Sequence, residues 1–255
     1  MSGEPVVAGS LTRIHTSVLA DRERELLTHI VARLPNWVTP DHLTCVGVAG
    51  GALVALGCVL ANWNMAWLWL AVAGLAVNWF GDSTDGSLAR FRRIERPRYG
   101  FFVDQFSDVV AHFVMLIGLG CSPLMRLDTA LLALLGSLAM MFYGHLKLQF
   151  TRTWQVSHHG VGPTELRILI ALGFIAEIMM LDLPSLALGS ETFTIFDIVG
   201  TLVFVGALAA IALMFVADRA KLALIDPPRG VVPPEVVVQP IPSRTRESNE
   251  IQALL

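Results

Sequence analysis

Four carboxylates between residues 82 and 108 hold the chemical potential of this chain. Asp82 and Asp85 are three residues apart, and Asp104 and Asp108 are four apart. On helices, both spacings put the two side chains of a pair on one face. Two such helices side by side gather four carboxylates in one place. Left uncompensated, that cluster repels itself and neutralises by protonation. A divalent cation removes the conflict, and an all-oxygen ligand set favours Mg²⁺, Mn²⁺ or Ca²⁺ over zinc. The residues in between suit a phosphate ligand. Gly86 and Ala89 follow Asp85 by one and four positions, and their small side chains let a nucleotide or a neighbouring helix come close. Arg90 offers a planar fork of donors to a diphosphate, and Gly100 again permits close approach. The spacing by itself points to a metal-bound diphosphate and says nothing about which nucleotide.

These residues need elements to hold them, and the composition says of what kind. The chain has 255 residues, 54% hydrophobic and only 15% charged, with mean hydropathy +0.62. A soluble domain carries about 25% charged residues, so this is an integral membrane protein with one membrane domain. Apolar runs over about 42–61, 65–83, 101–120, 127–147, 166–182 and 195–217 each approach the ~20 residues that cross a bilayer. The fold class expected is all-α, polytopic, with six transmembrane helices. Asp82 and Asp85 close the second run; Asp104 and Asp108 open the third. Trp63, Trp67 and Trp69 fall where an aromatic belt belongs.

Basic residues set the orientation. Arg90, Arg92, Arg93, Arg96 and Arg98 crowd one loop, Lys147, Arg152 and Arg167 flank another, and Arg219 and Lys221 follow the last run, against Arg126 on the other side. Both termini and the Asp cluster therefore face the cytoplasm. Residues 1–35 form a polar arm plus an amphipathic helix over 21–34, with Leu26, Leu27, Ile30, Val31 and Leu34 opposite Arg22, Glu25 and Arg33. That helix either lies on the membrane surface or packs on the protein. The membrane domain spans 36–222, and the Pro-rich stretch 223–255 reads as a disordered cytoplasmic tail. Residues 1–20 lack the apolar core of a cleavable signal. Cys45, Cys58 and Cys121 read as small buried apolar side chains.

The pattern D-x-x-D-G-x-x-A-R followed by G-x-x-x-D-x-x-x-D is complete in Asp82, Asp85, Gly86, Ala89, Arg90, Gly100, Asp104 and Asp108. It resembles the signature of the CDP-alcohol phosphotransferase (phosphatidyltransferase) family, over roughly residues 36–217. Nine residues separate Arg90 from Gly100, one more than the family spacing, and this reads as a loop insertion. The resemblance implies that Asp82, Asp85 and Asp104 ligate one or two Mg²⁺ or Mn²⁺ ions, with Asp108 helping a second ion and serving as general base. It assigns Asp85, Gly86, Ala89, Arg90 and Gly100 to the bound CDP-linked donor. Thr44 is carried over as a nucleotide contact, although Asp41 stands where the family has Asn. It further implies release of CMP, membrane lipid as a partner, a homodimer, and no nucleic acid.

The most direct version is a phospholipid synthase that uses CDP-diacylglycerol and a small polar alcohol. The alternatives are a CDP-linked amino alcohol with a diacylglycerol-type acceptor and, in another class, a cation or small-molecule transporter built on the Asp cluster. His112 continues the Asp104–Asp108 face and either orients the base or is simply hydrogen-bonded. His145 and Lys147, with His158 and His159 in the following loop, either recognise a phosphorylated alcohol or anionic headgroups or are simply the basic loop that topology demands, and the Arg92, Arg93, Arg96, Arg98 run is open in the same way between anionic-lipid binding and membrane orientation.

Overall fold

The computed structural model describes residues 12–14, 20–151, 153–155, 162–181, 183–188 and 191–226. The expectations for most of the N-terminal arm, for Arg152, His158 and His159, and for the tail from 227 onward lie outside those residues. The chain forms two compact units, Met1–Ile211 and Ala212–Leu255. Helix α1 (Ala20–Val31) precedes α2 (Pro40–Leu60), a single 3₁₀ turn (Met65–Trp67), α3 (Leu68–Phe91), α4 (Pro97–Gly120), α5 (Leu127–Thr151), α6 (Pro163–Ile178) and α7 (Ile195–Ile225). Three-residue strands pair in two places: β1 (Thr12–Ile14) parallel to β2 (Thr153–Gln155), and β3 (Leu186–Leu188) antiparallel to β4 (Glu191–Phe193).

Thr39 starts α2. Its hydroxyl accepts from the His42 amide at 3.2 Å, and His42 Nδ1 accepts from the Thr39 amide at 3.3 Å. Pro40 fills the first turn, where a missing N–H leaves no bond unmade. The Asn62-Trp63-Asn64 turn is closed by the Asn62 side-chain amide, which donates to Val59 O at 2.9 Å and to Cys121 O at 2.8 Å. The chain then returns as α3, antiparallel to α2 and in backbone contact with it. A Cβ on Gly81 would stand 2.2 Å from the Gly47 nitrogen, one on Gly50 2.3 Å from the Asn78 nitrogen, and one on Gly57 2.5 Å from the Ala71 nitrogen. Small residues let membrane helices approach until their backbones touch. The same device brings in α4, where a Cβ on Gly118 would lie 2.4 Å from Ala55 Cα. Val54, Cys58, Leu68, Ala71, Leu75, Leu124 and Phe174 form the main buried core.

Among the described residues, four helices are long and apolar enough to cross a membrane: α2, α4, Leu127–Phe150 of α5, and α7. Six were expected, and the two that fall short do so for identifiable reasons. α3 has 24 residues, about 36 Å at 1.5 Å per residue, but Asn78, Asp82 and Asp85 interrupt its apolar run. α6 has 16 residues, about 24 Å, and opens with Thr164, Glu165 and Arg167.

Leu27 and Val31 of helix α1 are buried, and Val31 packs with Val38, Leu43 and Leu88. This stretch therefore packs on the protein along that face. The α1–α2 connection is fastened by Arg92. Its Nη1 donates to Val38 O (2.5 Å) and Asn36 O (3.4 Å), its Nη2 to Pro35 O (2.8 Å) and Leu34 O (3.0 Å). Arg96 pairs with Asp41 at 3.2 Å and lies 3.8 Å above the Tyr99 ring, whose hydroxyl also donates to Asp41. The basic run is therefore divided in use, with two of its arginines holding the chain together. Arg92→Ala is expected to lower stability by about 1–3 kcal/mol, the cost of leaving carbonyls without their donor. Thermal unfolding in detergent checks this, and Arg98→Ala should shift the transition far less.

At the opposite end, Asp197 is 1% exposed. It accepts from the Arg126 amide at 2.8 Å, the Thr194 amide at 2.9 Å and the Thr129 hydroxyl at 2.5 Å, joining the start of α7 to the α4–α5 connection. The Arg126 side chain is paired with Asp128 and with Glu191, which hold its guanidinium above the ordinary arginine range.

Candidate metal and substrate site

The signature lies wholly on two helices. α3 runs on to Phe91, so Asp82 through Arg90 form its last turns, and Gly100, Asp104 and Asp108 occupy the first turns of α4. One carboxylate oxygen each from Asp82, Asp104 and Asp108 lies within 4.8 Å of the other two. They line a small cleft shared with Thr44, Asn78, Asp85 and Ser107. Ligand oxygens on opposite sides of a cation are about 4.2 Å apart for Mg²⁺ and about 5 Å apart for Ca²⁺. Three half-buried, all-oxygen groups at this separation fit a hard divalent ion. Their mutual repulsion also demands positive charge nearby.

Asp85 stands beside the trio rather than in it. It is buried; its Oδ2 accepts the Thr44 hydroxyl at 2.6 Å, and its Oδ1 accepts the Gly86 amide. Thr44 thus touches a carboxylate of the signature, a more specific contact than the sequence suggested. A Cβ on Gly86 would stand 3.3 Å from Arg90 Nη1. The group that comes close to Gly86 is therefore the Arg90 guanidinium, whose Nη2 donates to the Ser87 hydroxyl at 3.2 Å. Ala89 is half-buried and Arg90 exposed. Among the described residues, nothing lies within 4 Å of a Cβ placed on Gly100, so that side of α4 faces open space. His112 Nδ1 donates to the Asp108 main-chain carbonyl at 2.8 Å, within its own helix, and His145 Nδ1 does the same to Met141 O at 2.7 Å.

In the sequence Arg167 stands out only as a positive charge beside a loop. Its Nη2 donates to Asp82 Oδ2 at 2.7 Å and its Nε to Asn78 Oδ1 at 2.9 Å. Asn78 in turn donates to Gly47 O at 2.9 Å. The pair is enclosed, with side-chain exposures of 16% for Arg167 and 27% for Asp82. The signal was available in part: Asn78 sits four residues before Asp82, a polar side chain on the same helical face inside an apolar run. If Asp82 holds a metal, as the sequence leads one to expect, Arg167→Met lowers turnover about 10–100-fold, the usual effect of removing a group that orients a metal ligand. Because a permanent positive charge leaves, the metal concentration needed for half-maximal rate should not rise. A rate titration with Mn²⁺ checks both.

Apolar helices carrying a carboxylate cleft that fits a hard cation define a helical membrane protein with a candidate cation site. The family model for CDP-alcohol phosphatidyltransferase matches residues 34–216, and the chain belongs to that family. Its members are phosphotransferases of phospholipid biosynthesis that transfer a phosphoalcohol from a CDP-linked substrate, use lipid acceptors and generally need a divalent metal. Comparison with curated proteins gives no significant match.

Proposed function

We propose that this protein transfers a phosphatidyl group from CDP-diacylglycerol to the hydroxyl of a small polar alcohol and releases CMP, using Mg²⁺ or Mn²⁺. The observation that carries this reading is the convergence of Asp82, Asp104 and Asp108 oxygens within 4.8 Å in a chain of this family. Asp82, Asp104 and Asp108 would hold the metal, with Asp85 alongside. When bound, the metal supplies charge stabilisation to the diphosphate and the departing CMP. Asp108 accepts the proton of the acceptor hydroxyl. The acceptor oxygen then bonds to the phosphorus that carries the lipid, and the bond from that phosphorus to the CMP oxygen breaks. Arg90 reaches the diphosphate with its fork of donors, and Gly86, Ala89 and Gly100 leave room for the nucleotide.

The membrane domain in this reading is 36–222, crossed by six spans. Four helices qualify by apolarity. α3 and α6 complete an alternating path, because α2, α4 and α6 begin at the end of the site, while α3 delivers Asp82 and Asp85 there at its C-terminal end. The arginines at that end, against an Arg126 paired with two carboxylates, support a cytoplasmic site and cytoplasmic termini, with α1 at the same surface. A homodimer is the expected assembly. The test is CMP release by purified protein offered CDP-diacylglycerol, CDP-choline or CDP-ethanolamine with pools of acceptors. Release with CDP-diacylglycerol supports the reading; release only with a CDP-linked amino alcohol reverses the direction of transfer.

A further inference from the structure

Glu23 lies on the packed face of α1, four residues before Leu27 and eight before Val31, both buried. A carboxylate on the apolar stripe of a docked helix needs partners. Its Oε1 has three: Trp79 Nε1 donates at 2.8 Å, and the hydroxyls of Ser83 and Thr164 at 3.0 Å each. Trp79 and Ser83 follow Asn78 and Asp82 by one residue on α3, and Thr164 precedes Arg167 by three on α6. Two parallel ties therefore join α3 to α6. One is direct, from Asn78 and Asp82 to Arg167. The other runs from Trp79 and Ser83 through Glu23 to Thr164.

We propose that Glu23 is a positioning residue: through it, α1 braces α3 against α6 and keeps the Arg167 guanidinium on Asp82. The role of Asp82 rests on the transferase reading above. The brace itself is a statement about helix register. An ionised acceptor makes hydrogen bonds roughly twice as strong as a neutral one, so glutamine in this place would hold partially. Leucine would extend the Leu27–Val31 stripe and keep α1 docked while removing the tie.

The experiment compares the full-length protein with its Glu23→Leu, Glu23→Gln and Arg24→Ala variants, the last altering an exposed α1 residue. Two readouts are taken. Amide hydrogen exchange needs no activity: Glu23→Leu should speed exchange at least about fivefold at the start of α6, over 163–170, and leave α5 unchanged. CMP release supplies a double-mutant cycle: Glu23→Leu should lower turnover about 5–20-fold alone but less than about twofold in an Arg167→Met background. Glu23→Gln should recover most of the loss, and Arg24→Ala should behave as wild type. Unchanged exchange at 163–170, or equal losses in both backgrounds, would overturn the brace. Wild-type protein that releases no CMP would sink the transferase reading, and exchange would still decide the brace.

Discussion

Asp108→Asn is expected to lower metal-dependent CMP release by about 10²–10⁴-fold, the range that general-base catalysis supplies. The change is close to isosteric and the cleft keeps its shape, but the carboxamide cannot take the proton of the acceptor hydroxyl. The fold should not suffer. Asp108 shares a small space with Asp82 and Asp104, so removing one negative charge relieves repulsion, and the unfolding temperature should hold or rise. Asp104→Asn separates the two roles proposed for the pair. A ligand without base function should show its loss mainly as a higher metal requirement, and excess Mn²⁺ should recover part of the rate. Asp108→Asn should not recover with metal. If Asp108→Asn kept more than about a tenth of the wild-type rate, the proton would be going elsewhere.

Gly81→Leu is expected to be as damaging without touching a chemical group. Gly81 precedes Asp82, and a Cβ there would stand 2.2 Å from Gly47 N and 2.5 Å from both Gly47 Cα and Leu43 O. These are backbone atoms of α2, so no side chain can turn aside to make room. Overpacking of this kind costs about 1–3 kcal/mol and sometimes more. Here it would prise α2 from α3 and carry Asp82 away from Asp104 and Asp108. Folded yield in detergent should drop sharply, and the protein that survives should lose at least about tenfold in CMP release. Gly100→Ala is the matching control. The space beside Gly100 is open, so stability should stay near wild type and any effect should fall on donor binding.

The features legible in the sequence were those with a fixed period or a fixed motif. The Asp pairs at three and four residues placed themselves on helical faces, and their convergence across α3 and α4 follows from two apolar runs joined by a short loop. The start and turn of α2 were legible in Pro40 and Asn62-Trp63-Asn64. Contacts between distant segments were not. Arg167 and Asp82 are 85 positions apart, and no local pattern links them. Arg92 reads in the sequence as one member of a basic run, whereas its guanidinium meets four carbonyls more than fifty positions away. Glu23 continues the Leu27–Val31 face of α1 as a carboxylate, which marks it in the sequence, but its partners on α3 and α6 are a tertiary fact. α3 and α6 differ from the six expected spans for reasons already visible in the sequence: Asn78, Asp82 and Asp85 dilute the apolar run of α3, and α6 is only 16 residues long.

The most direct test of the central claim is CMP release by the purified, full-length protein in liposomes, with CDP-diacylglycerol as donor, pooled small alcohols as acceptors, and Mg²⁺ or Mn²⁺ added or chelated. The account predicts release that needs both metal and acceptor, stops on chelation, and is lost in Asp108→Asn. Folded protein that binds Mn²⁺ at the Asp cluster yet releases no CMP from this or any other CDP-linked donor, or that passes cations across the liposome membrane instead, would contradict it.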